Sequence, residues 1–187
     1  MKKLNVFFLV ILVVLAFSSC KSVKTSGIEQ GETTTALEED SSVYQIIGEN
    51  KIAFSSFSFE FPNDLSLLSN TVNPIAESDD GKFQLMIADK TKSVADYNKY
   101  INNTYSTYES VGMDISKIET LSFNGLSAKR FSLSITDEEN ENVTMILYFI
   151  EQDDLKIDAI VMLKGNEAID YSRVDDYLAT IDFLKTE

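Results

Sequence analysis

Apolar and polar positions alternate with two different periods along this chain, and the change of period marks out its elements. From Ile52 to Phe61 (IAFSSFSFEF) Phe57, Phe59 and Phe61 alternate with Ser58 and Glu60, the period of two expected of a strand with one buried face. Pro62, Asn63 and Asp64 end that strand, and Leu65 to Ser69 are short enough for a return strand. Asn70 to Ser78 carries no clear period, and Asp79-Asp80-Gly81 is a turn signal leading into a strand over Phe83 to Ala88. At Ser93 the rhythm changes: Val94, Tyr97, Ile101, Tyr105, Tyr108 and Val111 recur at threes and fours, as an amphipathic helix requires. Ser93 and Asp96 stand in capping-box register, and Gly112 can close the helix in the left-handed conformation. The tyrosines of that stripe read either as a helix face lying on a sheet or as a ligand-stacking surface.

The second half returns to strands. Ile118 to Phe123 and Leu126 to Ile135 flank Asn124-Gly125, a pair that accepts positive φ at both centres of a type I′ hairpin turn. Apolar parity shifts from Leu126 and Ala128 to Phe131, Leu133 and Ile135, which predicts a bulge near Lys129-Arg130. Val143 to Ile150 (VTMILYFI) is apolar on both faces apart from Thr144, the composition of a central strand covered on both sides. Asp153-Asp154 turns the chain into Leu155 to Leu163, where Leu155, Ile157, Ala159, Val161 and Leu163 share one face. A last helix is expected from Ser172 to Lys185, with Val174, Leu178, Ile181 and Leu184 at helical spacing and Ser172 and Asp175 in capping-box register. Strands, a helix, four strands and a helix imply an α+β fold, a mostly antiparallel sheet flanked by helices.

The amino-terminal segment has a different pattern. Lys2 and Lys3 precede twelve uninterrupted apolar residues, Val6 to Phe17, and then Ser18, Ser19 and Cys20. That is the layout of an export signal, and the run falls short of the roughly 20 residues a membrane-spanning helix needs. The small pair before Cys20 resembles the lipobox of bacterial lipoproteins, in which the cysteine thiol receives a diacylglyceryl group and becomes the first residue; Phe17 departs from the usual leucine. The resemblance makes residues 1–19 a lipoprotein signal peptide and Cys20 a lipidation site, with the membrane as partner through acyl chains. An ordinary signal peptide with a chance cysteine is the alternative. Lys21 to Ser42 is rich in Ser, Thr, Gly and Glu, so residues 20–42 are expected to be a lipidated cysteine and a flexible acidic tether spanning on the order of 25 Å. Residues 43–187 suit one domain.

Within that domain, FSFEFP at Phe57 to Pro62, the helix from Ser93, NGLSAKRF at Asn124 to Phe131, the two long strands and the closing YSRVDDYLATIDFLK resemble the PsbP-like domain family, which includes bacterial surface and periplasmic lipoproteins. The family often has a tryptophan after the proline turn, where this chain has Asp64-Leu65 and, throughout, no tryptophan. The resemblance implies an α/β/α sandwich, a cell-envelope location and, for most bacterial members, no known catalysis.

Charge and residue inventory narrow the chemistry. The net charge of −14 becomes −16 once Lys2 and Lys3 leave with the signal, and Arg130 and Arg173 are the only arginines, so nucleic acid is a disfavoured partner. With no histidine and one cysteine, Ser-His and Cys-His nucleophiles, ordinary zinc sites and disulfides are ruled out. The seven glycines are scattered and form no phosphate-binding loop, and no cofactor is implied. The acidic run Asp137 to Asn142 lacks the glycine and distal glutamate of a calcium loop and is expected to be a solvated hairpin tip. These features favour a non-catalytic binding or assembly module for another envelope protein, ahead of a small-solute or divalent-cation binder and, last, a carboxylate-based hydrolase. No catalytic, metal or cofactor residue is assigned; Cys20 is the single site residue.

Overall fold

The computed structural model describes residues 44–68, 73–136, 141–165 and 169–183. The signal peptide, Cys20, the tether and most of the acidic run (137–140) lie outside the described residues.

Two antiparallel sheets make the frame. The larger holds β4 (Leu65–Leu67), β5 (Ile75–Ser78), β6 (Phe83–Asp89), β11 (Leu155–Lys164), β10 (Asn142–Gln152) and β9 (Leu126–Thr136) in that spatial order, and β9 carries both β7 (Asp114–Ile115) and β8 (Glu119–Phe123) along its outer side. The smaller holds β1 (Gln45–Ile46), β2 (Lys51–Ala53), β3 (Phe57–Glu60) and β12 (Asp182–Phe183). Helix α1 (Tyr97–Ser110) lies on one face of the large sheet. Helix α2 (Tyr171–Leu178) and the small sheet pack on the other. The architecture is therefore α+β, dominated by strands, with one flank built of a sheet and a short helix together.

The order follows from what each strand must bury. β10 is apolar on both faces, and it sits between β9 and β11, buried from Val143 to Ile150 except for half-buried Thr144. Its even positions Ile146, Tyr148 and Ile150 join Phe57, Phe59, Phe61, Leu85, Ile157, Ala159, Val174 and Leu178 in the core beneath the small sheet. Its odd positions point at α1, where Phe149 stands edge-on to Tyr97 and Tyr100 and stacks with Phe131 at 5.5 Å. α1 carries the chain from β6 across β11, β10 and β9 to the far edge, where β7 joins β9.

Several expectations need correction. Ile52 to Phe61 is two strands, because the apolar parity breaks between Phe54 and Phe57; the backbone turns through Ser55-Ser56, the Phe54 N–H donates to the Phe57 carbonyl at 2.8 Å, and the two rings stack at 4.5 Å. The short strand after Pro62 pairs forward with β5, an element the aperiodic stretch concealed, and so enters the large sheet. No bulge interrupts β9: its registers with β8 and β10 run without a slip from Leu126 to Thr136. The parity shift reflects which face is covered, since Leu126 and Ala128 face the small-sheet core while Phe131 and Leu133 face α1. The Asn124-Gly125 turn has φ of 47° and 81°, the positive pair that a type I′ turn needs.

Both helices start on residues other than those expected, and α2 stops earlier, whereas α1 closes at Gly112 as its sequence implies. Asp96 caps α1 by accepting from the Lys99 N–H at 2.9 Å, while the Ser93 hydroxyl turns back to the Lys90 carbonyl. At the other end Gly112 has φ of 77°, and the N–H groups of Gly112 and Met113 donate to the carbonyls of Glu109 and Tyr108, a Schellman closure. Asp170 caps α2, which ends at Leu178 and not near Lys185. Thr180 donates its hydroxyl to the Glu60 carbonyl, and the chain straightens into β12 beside β3, so Ile181 and Phe183 serve the sheet side of the core.

Candidate functional site

The tyrosine stripe of α1 is where the helix meets the sheet. Tyr97, Ile101 and Tyr108 are buried, and Tyr105 and Tyr108 lie edge-on to Phe131. The core-facing reading holds for the tyrosines, whereas Val111, at the end of the stripe, is 64% exposed. At its amino-terminal end the apolar contact gives way to a polar centre that the sequence reading did not single out. Asp158, in the middle of β11, is 4% exposed and projects toward α1. The Tyr97 hydroxyl stands 2.7 Å from the Ile157 carbonyl oxygen and 2.7 Å from Asp158 Oδ1, and the Tyr100 hydroxyl stands 2.7 Å from Asp158 Oδ2. The two rings are nearly parallel, 5.9 Å apart, and both are edge-on to Phe149, the cross-strand partner of Asp158.

Two residues earlier, β11 supplies a second fastening for the same end of the helix. Lys156 Nζ donates to the carbonyls of Val94 and Ala95 at 2.7 and 3.1 Å, and its N–H donates to the Thr91 hydroxyl. One strand therefore fixes the approach to α1 through a cation and its first turn through a carboxyl group.

Burial raises the Asp158 pKa above its ordinary value; the Lys90 charge and the two phenol bonds pull it the other way without cancelling the shift. Burial likewise raises Tyr97 and Tyr100, with the nearby Asp158 adding to it, and pushes Tyr108 up to about 12. All three phenols stay protonated at physiological pH.

The opposite face has its own polar cluster, at the rim of the core. Arg130 donates to Glu119 through Nε and Nη2, at 3.2 and 2.7 Å, and to the Tyr148 hydroxyl through Nη1 at 3.2 Å. The Tyr148 hydroxyl donates in turn to Asp175 Oδ1 of α2 at 2.9 Å, and the guanidinium carbon lies 4.0 Å from the Tyr171 ring centroid. Burial opposes the Arg130 charge, and the bonds from Glu119 and Tyr148 overcome it, so its pKa is raised. Arg173, the other guanidinium, pairs with Asp64 and lies over Phe83. Both arginines thus join helix α2 or its rim to strands.

Among the described residues no group of three or more acidic or sulfur side chains is placed to hold a metal, and no helix is long and apolar enough to cross a membrane. Glu141 and Asn142 of the acidic run are exposed; the calcium-loop question rests on residues outside the description. Cys20 also lies outside it.

No protein-family model matches the chain, and no curated protein does. Solved structures do. One is a protein from Bacteroides thetaiotaomicron VPI-5482, with a TM-score of 0.50 and 14% identity over 69% of this chain. The chain spans 45% of that protein's length. Another is LpqN of Mycobacterium tuberculosis, described as involved in cell envelope biogenesis, with a TM-score of 0.44 and 10% identity, covering 69% of this chain and 83% of LpqN. At 14% identity the likeness to the Bacteroides protein concerns the fold alone.

Proposed function

We propose that the protein is a cell-envelope lipoprotein, held at a membrane by acyl chains on Cys20, whose α+β domain acts as a non-catalytic binding or assembly module for another envelope protein. The amino-terminal segment carries this reading: a basic head, a twelve-residue apolar run and Ser18-Ser19-Cys20, with the chain's only cysteine at the end of it. Two or more acyl chains hold a protein stably, since each buried methylene contributes about 0.8 kcal/mol. The lack of histidine and of any second cysteine removes the commonest nucleophilic and zinc chemistries from the domain. The PsbP-like reading belongs to the same proposal. An antiparallel sheet with α1 on one face and α2 on the other supports it, and the added small sheet is the departure.

In-cell crosslinking of the tagged full-length chain, beside a Cys20→Ala variant, tests the proposal. Wild type is expected in the membrane fraction with a recurring crosslinked envelope protein, and the variant in the soluble fraction without it, its melting temperature unchanged. Retention of Cys20→Ala in the membrane fraction, or no partner under several crosslinkers of different reach, overturns it.

A further inference from the structure

Asp158, Tyr97 and Tyr100 present a proton-counting problem. Three oxygen–oxygen contacts of 2.7 Å join them and the Ile157 carbonyl: Tyr97 to Ile157, Tyr97 to Asp158 Oδ1, and Tyr100 to Asp158 Oδ2. A contact that short between two oxygens calls for a proton between them. A backbone carbonyl and an ionised carboxylate only accept, so with Asp158 ionised the two phenols supply two protons for three contacts. One of the two Tyr97 contacts would then be left without a proton, among residues at most 4% exposed, at a cost that buried polar groups rarely bear. A neutral carboxyl group supplies the third. Tyr97 then donates to the Ile157 carbonyl, Asp158 Oδ1–H donates to Tyr97, and Tyr100 donates to Oδ2, each atom in its permitted role.

We infer that Asp158 is held as a neutral carboxylic acid and that this single proton latches the first turn of α1 to the centre of the large sheet. The groups facing Asp158 agree with a shared proton. α1 contributes only phenols, those of Tyr97, Tyr100 and, farther off, Tyr108; β10 contributes the Phe149 ring, and β6 the methyl of Ala88 in the register position opposite. Lys90, beyond the end of β6, acts against that proton through its field and makes no hydrogen bond to the carboxyl group. Glu151 on β10 opposes ionisation of Tyr97.

The pH consequence has a fixed sign. A carboxyl group whose folded-state pKa is raised contributes stability that is fully present below its unfolded value, near 3.8, and is lost as pH rises through the folded value. The latch is therefore closed in acid and loosens toward alkaline pH, changing the folded-to-unfolded ratio by up to about tenfold per pH unit across that window.

Denaturant midpoints of the purified full-length chain between pH 4 and 9 test this, with Asp158→Asn beside Asp154→Asn, an exposed turn position that controls for the lost negative charge. Wild type and Asp154→Asn should weaken together as pH rises. Asp158→Asn, whose amide keeps a donor and an acceptor without a proton to lose, should lose that part of the slope and equal or exceed wild type at pH 8. A slope unchanged from wild type, with equal losses at pH 5 and pH 8, overturns the proposal. If Asp158→Asn does not fold, carbon-13 spectra of the aspartate-labelled wild-type chain decide: one carboxyl signal should keep the protonated position to a higher pH than the rest. Loss of the protonated position by every aspartate signal together overturns it.

Discussion

The two faces of the large sheet solve the same burial problem with different chemistry. Under the small sheet the seal is hydrocarbon: Ile52, Phe57, Phe59 and Phe61 are at most 1% exposed, and charge appears only at the rim, as Arg130 reaching over Tyr171 to Glu119 and Asp175. Under α1 a carboxyl group stands inside the seal, spanned by two phenols. The first arrangement stabilises without regard to pH or salt, whereas the second fixes where the helix sits and makes that seating conditional on a proton. Three short oxygen contacts add a directional constraint to the apolar packing around them. Each face thus has its own signature: indifference to solution conditions beneath the small sheet, salt dependence at its rim, and pH dependence beneath α1.

The largest effect should come from the hydrocarbon face. Phe59→Ala empties a fully buried site packed edge-on to Phe61 and should cost about 3–5 kcal/mol, by the same amount at pH 5 and pH 8, in denaturant titrations. A loss that varied strongly with pH would mean that the two faces are energetically coupled.

At the rim, Arg130→Met should cost about 1–2 kcal/mol, because the bond to Tyr148 and the stacking on Tyr171 are lost while Tyr148 keeps Asp175 as acceptor. The Glu119 part of that loss should be small and fade in molar salt, since Glu119 is 60% exposed. A double-mutant cycle with Glu119→Gln measures it; a large, salt-insensitive coupling would contradict the picture of a solvated rim.

The smallest effects lie at the helix starts. Asp96→Ala should cost about 1 kcal/mol and Ser93→Ala less than about 0.5 kcal/mol, reversing the order that the capping-box spacing implies. Asp170, which caps α2, has the opposite pH sign to Asp158. The Ser172 hydroxyl and the Arg173 N–H lower its pKa, so what it contributes is present above the ordinary carboxylate range and lost as pH falls. Asp170→Asn should remove a small loss on the acid side only, read from the same pH series.

The sequence made the α1 register, the Asn124-Gly125 hairpin and the central place of β10 legible, because each rests on a local pattern strong enough to survive packing. The β2–β3 turn was legible in principle, from the parity break between Phe54 and Phe57, but Ser55-Ser56 carries no glycine or proline to announce it. The bulge expected in β9 was a misreading of real information: parity marks which face is covered at each position, and a sheet covered on both faces changes parity without a kink. Of the polar centre, one signal was present. Asp158 is the lone acid inside IDAIVML, a strand apolar on both sides, and such a residue needs partners from another element. Which partners could not be read, since Tyr97 and Tyr100 are about 60 positions away and meet Asp158 only once α1 crosses the sheet.

The proposed function depends most on Cys20, and mass spectrometry of the mature amino terminus of the protein extracted from membranes tests it directly. The proposal predicts a chain that begins at Cys20 and carries a diacylglyceryl group. An unmodified Cys20, or a chain that begins elsewhere, contradicts it.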